Sequence, residues 1–376
     1  MKKIITINLV VFISILLLTN LLSLVLISLN RTYQSTKSNI PNVFKSNPAF
    51  HDKDYAIGYA KDYQNMNYSY DPFVGWKIDK FKSDFINIDQ NGKRIVNLKY
   101  NDKFNTIHFF GGSSIWGVGS SDSDSIPSII GEKLKKYNIK IHASPGYVVR
   151  QNVSLLINLI NSKNYKNGDI IIFYGGVNDY SVSCKIESLI INSHGVKYII
   201  SKALKDFQYK QNMSGLETFL EFVDVIFLKY TKRILKRVLP GNIYDDSKLL
   251  LTEKDNVCVK SNEKKKELVD YVIKNWKIAK DISDNNDLKF YSFIEPIANT
   301  QTNINHLKIS ESTDDLNNYL NLLSSSSTEH TNEFIIDFSN VFFGRENIKI
   351  FIDEYHYNRL GNRIIADAIS EKIFHY

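Results

Sequence analysis

FFGGSSIWGVG, residues 109–119, is the stretch on which the reading of this chain turns. The apolar run 106–110 stops abruptly at Gly111-Gly112, the pattern of a buried strand entering a tight turn. Ser113 follows, just past the strand's carboxyl end, where open α/β sheets place their ligands. Glycines on both sides leave room for a substrate to approach the backbone. A serine hydroxyl is a weak nucleophile at neutral pH and needs an adjacent base. Three later segments supply the remaining groups: SPGYVV (144–149), FYGGVND (173–179) and IDEYHYNRLGN (352–362). His356 is the candidate base. Asp353, three residues upstream, can orient its imidazole and stabilise the protonated form. Charge developing on a substrate oxygen needs pre-positioned donors. The backbone N–H groups of Ser113 and Gly146 and the side-chain amide of Asn178 are the candidates.

These four segments, in this order, resemble the blocks of the SGNH (GDSL) hydrolase family. The family's Gly-Asp-Ser with a glycine four residues on appears as Gly111-Gly112-Ser113 and Gly117, glycine replacing the acidic residue. The second-block glycine maps to Gly146, although His142-Ala143-Ser144 stands where the family has Asn-x-Gly. Gly176, Val177, Asn178 and Asp179 match the third block, and Asp353 to His356 the fifth. The resemblance runs from about residue 70 to the C-terminus, and specificity comes from order and spacing rather than from any one motif. It implies catalytic Ser113, Asp353 and His356, with an oxyanion hole from Ser113, Gly146 and Asn178. It also implies an esterase of the bacterial membrane-anchored envelope type.

Competing readings attach to the same residues. Segment 111–119 lacks the Gly-Lys-Ser/Thr ending of a phosphate loop and the third glycine of a dinucleotide fingerprint. Ser114 is the nucleophile if the turn is shifted by one residue. Asn178-Asp179 alone would read as a helix cap, with Asp179 a structural partner of the turn. His108 and His142 sit in apolar strand patterns and read as packed core histidines.

Hydrophobic residues make up 43% of the 376 and charged ones 23%, the balance of a globular protein with a real core. The net charge of +7 is not gathered into a basic run interleaved with aromatics, so no nucleic-acid face is expected. Residues 4–30 carry no charged side chain and are long enough to span a bilayer. No Ala-x-Ala cleavage pattern follows, which favours a retained anchor over a signal peptide. The catalytic part is then expected outside the membrane, periplasmic or at the cell surface. The two cysteines, Cys184 and Cys258, give no metal-site spacing. Whether they pair is open at this stage.

Apolar runs at 106–110, 139–143, 169–174, 289–294 and 334–338 alternate with helical patterns at 125–136, 149–161, 264–282 and 360–374. Such alternation predicts a three-layer α/β/α sandwich on a mainly parallel five-stranded, flavodoxin-like sheet. Residues 1–31 read as the anchor, 32–69 as a tether and 70–376 as the hydrolase domain. Within that domain, 181–262 is a mostly helical insertion, and Ser324 to Ser327 reads as a loop signal. In the insertion, 218–238 has acidic residues early, basic residues late and a Pro-Gly stop, the polarity of a helix. It reads as a lid, as a membrane-surface helix or as packing on the core. Asn91-Gly92 marks a hairpin. Tyr70, Phe73 and Trp76 either pack on the core or line a sugar-binding rim. The function expected is hydrolysis of an O-acyl ester, on an envelope glycan, with no metal or organic cofactor. The alternatives are an O-acyltransferase with the same triad and a non-catalytic glycan-binding or assembly protein.

Overall fold

The structure is a computed structural model that describes residues 2–36, 49–50, 52–96, 98–184, 213–238, 258, 261–298, 307, 312–329, 333–345 and 348–374. The chain divides into two compact units, Met1–Asn39 with Lys197–Leu250 and Ile40–Val196 with Leu251–Tyr376.

The larger unit begins its strands with two short antiparallel hairpins, β1 (Tyr68–Asp71) with β2 (Gly75–Ile78) and β3 (Phe81–Lys82) with β4 (Asn87–Ile88). Its centre is a five-stranded sheet of β5 (Asn105–Gly111), β6 (Tyr137–Ala143), β7 (Ile170–Gly175), β8 (Lys289–Ile294) and β9 (Ile335–Asp337). Every pairing in it is parallel, in the order β6-β5-β7-β8-β9. These are the five apolar runs of the sequence. They read as continuous rather than alternating because helices bury both faces. From β5 and β7, Ile107, Phe109, Ile170 and Ile172 enter one core, which the helices Ile126–Lys133 and Arg359–Phe374 cover. Phe110, Ile171 and Phe173 enter the other, beneath Val149–Asn161, Asn262–Asp284 and Ser312–Glu329. The fold is the expected three-layer α/β architecture. Strand order reverses direction at the β5–β7 pair, so the crevice at their carboxyl ends is the site favoured for ligands.

Two stretches differ from the sequence reading. Within the supposed tether 32–69, Lys53–Asn65 is a helix capped by the Asp52 carboxylate, with Ala56, Tyr59 and Ala60 buried in the catalytic unit. Tyr59 packs in the same core as Trp116, so this helix is part of the domain and not a linker. Ser324 to Ser327 lie inside the helix Ser312–Glu329 rather than in a loop. Leu316, Tyr319, Leu320 and Leu323 give that helix an apolar stripe that outweighs the weak helix preference of serine.

Cys184 and Cys258 form a disulfide with a Cα separation of 5.2 Å. It joins the end of the helix Val177–Ser183 to the chain just before the helix Asn262–Asp284. His108 and His142 are core residues, as their pattern suggested. His108 Nδ1 lies 3.0 Å from His142 Nε2, and its Nε2 lies 3.2 Å from Asp169 Oδ2. Burial lowers both imidazoles, which keeps them neutral.

Asn91-Gly92 does form a turn, closed by the Ile88–Arg94 bridge, and it delivers Arg94 into the interior. The guanidinium is fully buried and ion-paired to Asp122 at 2.8 Å. It donates to the carbonyls of Trp116 (2.9 Å), Gly117 (2.7 Å) and Ser120 (2.5 Å) and lies 4.4 Å over the Trp116 ring. Loss of one member of such a buried pair leaves the other uncompensated. Arg94→Met should therefore lower the unfolding free energy by about 3–5 kcal/mol in chemical denaturation. Lys133→Ala, which breaks the exposed Lys133–Asp367 pair, should cost under about 1 kcal/mol. Equal losses would refute the central place given to Arg94.

Candidate active site

Ser113 opens the four-residue helix Ser113–Trp116 directly after β5. Its carbonyl accepts the N–H groups of Gly117 (2.9 Å) and Val118 (3.0 Å), which closes the turn. Gly117 takes a φ of +98°, a left-handed conformation suited to glycine. Ser113 is half-buried, whereas Ser114 is buried and its hydroxyl donates to the Tyr355 carbonyl at 3.4 Å. The neighbouring serine thus points inward and ties the turn to the segment that carries His356.

That segment is self-organised. Asp353 Oδ1 accepts the N–H groups of Tyr355 and His356, each at 2.8 Å. Asp353 Oδ2 lies 2.7 Å from His356 Nδ1. Burial disfavours the imidazolium, but the charge and hydrogen bond of Asp353, supported by Glu295, outweigh it and raise the His356 pKa above its ordinary value. Burial likewise pushes Asp353 upward, and the imidazolium charge and its hydrogen bonds bring it below the usual carboxylate range. His356 Nε2 is buried and has no hydrogen-bond partner among the described residues.

Asn178 lies near the start of the helix Val177–Ser183, after β7, with Gly176 at φ +115° making the bend. Its Nδ2 donates to the Tyr147 carbonyl at 3.0 Å, which links it to the turn of Ser144, Pro145 and Gly146. Gly146 holds a φ of +84° there. A Cβ placed on Gly112 would stand 2.2 Å from Asn178 Nδ2. Glycine in place of the family's acidic residue therefore lets the amide approach the backbone beside Ser113. The four sequence-derived segments converge, and Ser113, Gly146, Asn178, Asp353 and His356 all lie in them.

Two acids brace the site: Glu295, which the sequence reading does not single out, and Asp179, read there as a structural partner of its turn. Glu295, directly after β8, is buried and accepts the Val177 N–H at 3.3 Å, which holds the bend before Asn178. Burial raises its pKa. Asp179 accepts the Val149 N–H at 3.1 Å, so it braces the helix Val149–Asn161 more than its own turn. Burial pushes its pKa up to about 7. Trp76 packs edge-on against Tyr147 at 5.3 Å, and its carbonyl accepts the Tyr147 hydroxyl at 2.5 Å. Tyr70 and Phe73, from the same hairpin, are exposed. Among the described residues no group of acidic, histidine or cysteine side chains is arranged to hold a metal ion.

The Gly112–Asn178 contact is testable. Asn178→Ala should lower kcat for an ester by roughly 10² to 10³, the loss expected for one oxyanion donor. Gly112→Ala should lower kcat by displacing the same amide. The double variant should be little worse than Asn178→Ala, because contacting residues do not act independently. A Gly112→Ala enzyme with unaltered kcat would break the link.

The chain is similar to several solved structures at low identity. One is a member of the lipolytic protein G-D-S-L family from Veillonella parvula DSM 2008, at 15% identity over 72% of this chain and 98% of that one, with a TM-score of 0.37. Another is the acetyl xylan esterase AlAXEase, at 15% identity over 72% and 100% of the two chains, with a TM-score of 0.35. A G-D-S-L-family lipolytic protein from Desulfitobacterium hafniense DCB-2 follows at 9% identity, 72% and 99% coverage and a TM-score of 0.37. No curated protein matches the sequence. The family model of the GDSL-like lipases and acylhydrolases matches residues 107–369, well over half of the chain, a range that includes Ser113, Gly146, Asn178, Asp353 and His356. The chain belongs to the GDSL-like lipase/acylhydrolase family.

Proposed function

We propose that this GDSL-type hydrolase is a serine esterase that removes O-acyl groups, acetyl in particular, from a glycan of the cell envelope. The observation that carries the chemistry is the Asp353–His356 pair, tied through Tyr355 to the turn that presents Ser113. In this reading Ser113 Oγ attacks the ester carbonyl carbon and its proton passes to His356 Nε2. Asp353 holds the imidazole by its other nitrogen and stabilises the cation. The oxyanion is met by the N–H groups of Ser113 and Gly146 and by the Asn178 amide. Collapse expels the alcohol, which takes the proton from His356, and leaves acyl-Ser113. Water, deprotonated by His356, then releases the acid and restores the serine.

Location supports the glycan. The helix Lys2–Asn30 is long and apolar enough to cross a membrane, a property that a signal sequence shares. The Cys184–Cys258 disulfide suits an oxidising compartment outside the cytoplasm. An envelope esterase meets acylated polysaccharide there, and exposed Tyr70 and Phe73, in the hairpin whose Trp76 packs on Tyr147, offer rings against which a sugar can pack.

A fluorophosphonate probe should label the wild type and Ser114→Ala, and fail on Ser113→Ala. Labelling lost only in Ser114→Ala would move the nucleophile by one residue, and no labelling at all would favour a non-catalytic glycan-binding role. Acetate release from an acetylated polysaccharide tests the substrate. Ester exchange to an added sugar alcohol in place of hydrolysis would reassign the chain as an O-acyltransferase.

The pH dependence follows from His356. Neutral imidazole is the working form, and its pKa is raised. Activity should therefore fall as pH drops through an inflection above about 6.5, the ordinary imidazole value. Asp353→Asn removes the charge and should shift that inflection downward while lowering kcat. An unmoved inflection would show that another group controls the profile.

A further inference from the structure

The insertion's described helix belongs with the N-terminal helix in the smaller unit. It runs over 215–238 as Gly215–Val223, Asp224–Leu228 and Lys229–Val238, with the middle segment wound as a π-helical turn. Ser214 caps it in a reciprocal box with Glu217. Along the N-terminal helix, Asn20, Ser23 and Ile27 are buried and Leu16 is half-buried. Their spacing of four, three and four is that of a helix–helix seam.

Asn20 holds the seam together. Its Nδ2 donates to the carbonyls of Ile226 (2.5 Å) and Val225 (3.4 Å), and its Oδ1 accepts the N–H groups of Tyr230 (2.9 Å) and Thr231 (3.3 Å). Ser23 adds a 3.5 Å contact to the Thr231 hydroxyl. One amide thus bridges carbonyls within the widened turn to N–H groups just beyond it. A polar side chain in an apolar span is costly unless such partners exist.

The depth of this contact follows from length. The apolar stretch Lys2–Asn30 has 29 residues, about 43 Å of helix at 1.5 Å per residue, while a hydrocarbon core is about 30 Å thick. With Lys2 and Lys3 among the headgroups, roughly 20 residues from Ile4 fill the core and the far boundary falls near Ser23. Asn20, Ser23 and Ile27 then lie at that boundary, and so does the helix docked on them. Leu216, Phe219, Leu220 and Phe222 are each more than half exposed, continuous in character with the exposed apolar surface of the N-terminal helix. Further along come Lys229, Lys232 and Arg233, exposed and cationic, with Asp224 paired to Lys232.

We infer that helix 215–238 is an interfacial membrane helix, docked by Asn20 in the leaflet opposite the N-terminus. Its aromatic and leucine side chains enter the acyl region, and Lys229, Lys232 and Arg233 engage anionic lipid headgroups. A helix of this composition binds by apolar burial together with attraction to acidic lipid. The inference rests on residues 4–30 spanning the bilayer and not on the proposed catalytic chemistry.

The test uses the full chain in vesicles containing phosphatidylglycerol. Both native cysteines are in the disulfide, so Leu220→Cys and, separately, Arg233→Cys offer a single thiol for an environment-sensitive fluorophore. Lipids brominated in the acyl chain should quench the label at 220 at least about twofold more than the label at 233. Replacing phosphatidylglycerol by phosphatidylcholine, or introducing Asn20→Leu, should each reduce quenching at 220 several-fold. Fluorophosphonate labelling should persist in Asn20→Leu, which shows that the catalytic unit remains folded. Quenching at 220 by aqueous iodide, with none from brominated lipid, would make the helix a water-exposed lid and overturn the inference. Release of the full chain by alkaline carbonate would overturn the span on which it stands.

Discussion

One buried guanidinium organises the loop behind the Ser113 turn. Arg94 gathers the carbonyls of Trp116, Gly117 and Ser120 and balances its charge on Asp122. Only arginine has enough donors in a rigid fork to serve three carbonyls and a carboxylate at once. The tight turn at Gly117 depends on the same contact, because a Cβ there would come within 2.7 Å of Arg94 Nη1. A hairpin far from the sheet's centre therefore shapes the segment that presents Ser113.

Around that loop, the sheet does the gathering. Ser113 follows β5 and Asn178 follows β7, and these adjacent strands meet at the point where strand order reverses. Three acids, of which Glu295 and Asp179 are buried, hold what the sheet brings together. Asp353 orders its own loop as well as His356, Glu295 braces the bend before Asn178, and Asp179 braces the helix that follows Gly146. The unusual glycine at 112 belongs to the same design, since it turns the space of a missing side chain into a seat for the Asn178 amide.

The sheet and the converging segments were legible in the sequence because each has a local cause. Buried parallel strands need apolar runs, and sharp turns at their ends need glycine. The helix Val149–Asn161 matches its periodicity at both ends. What escaped reading depends on contacts distant in sequence. The helix Lys53–Asn65 has a polar average, and Tyr59, Tyr63 and two alanines commit it to the core. The helix Ser312–Glu329 hides behind a serine run, which leucine and tyrosine packing overrides. Glu295 follows an apolar run and precedes Pro296-Ile297, but nothing near it in sequence names the Val177 N–H that it meets. Asn20 looks like an interruption in an apolar span until its partners, 205 to 211 residues away, are seen.

The disulfide gives the insertion a particular topological status. Cys184 and Cys258 stand 5.2 Å apart between Cα atoms, so the disulfide closes the chain between them into a covalent ring. A protease that nicks this ring leaves both new ends on the same molecule, and the sheet keeps all of its strands in one covalent piece. The segment can lengthen, shorten or change composition with little effect on the register of β7 and β8, which flank it. Variation in how the protein meets its surroundings is thereby uncoupled from the geometry on which its chemistry relies.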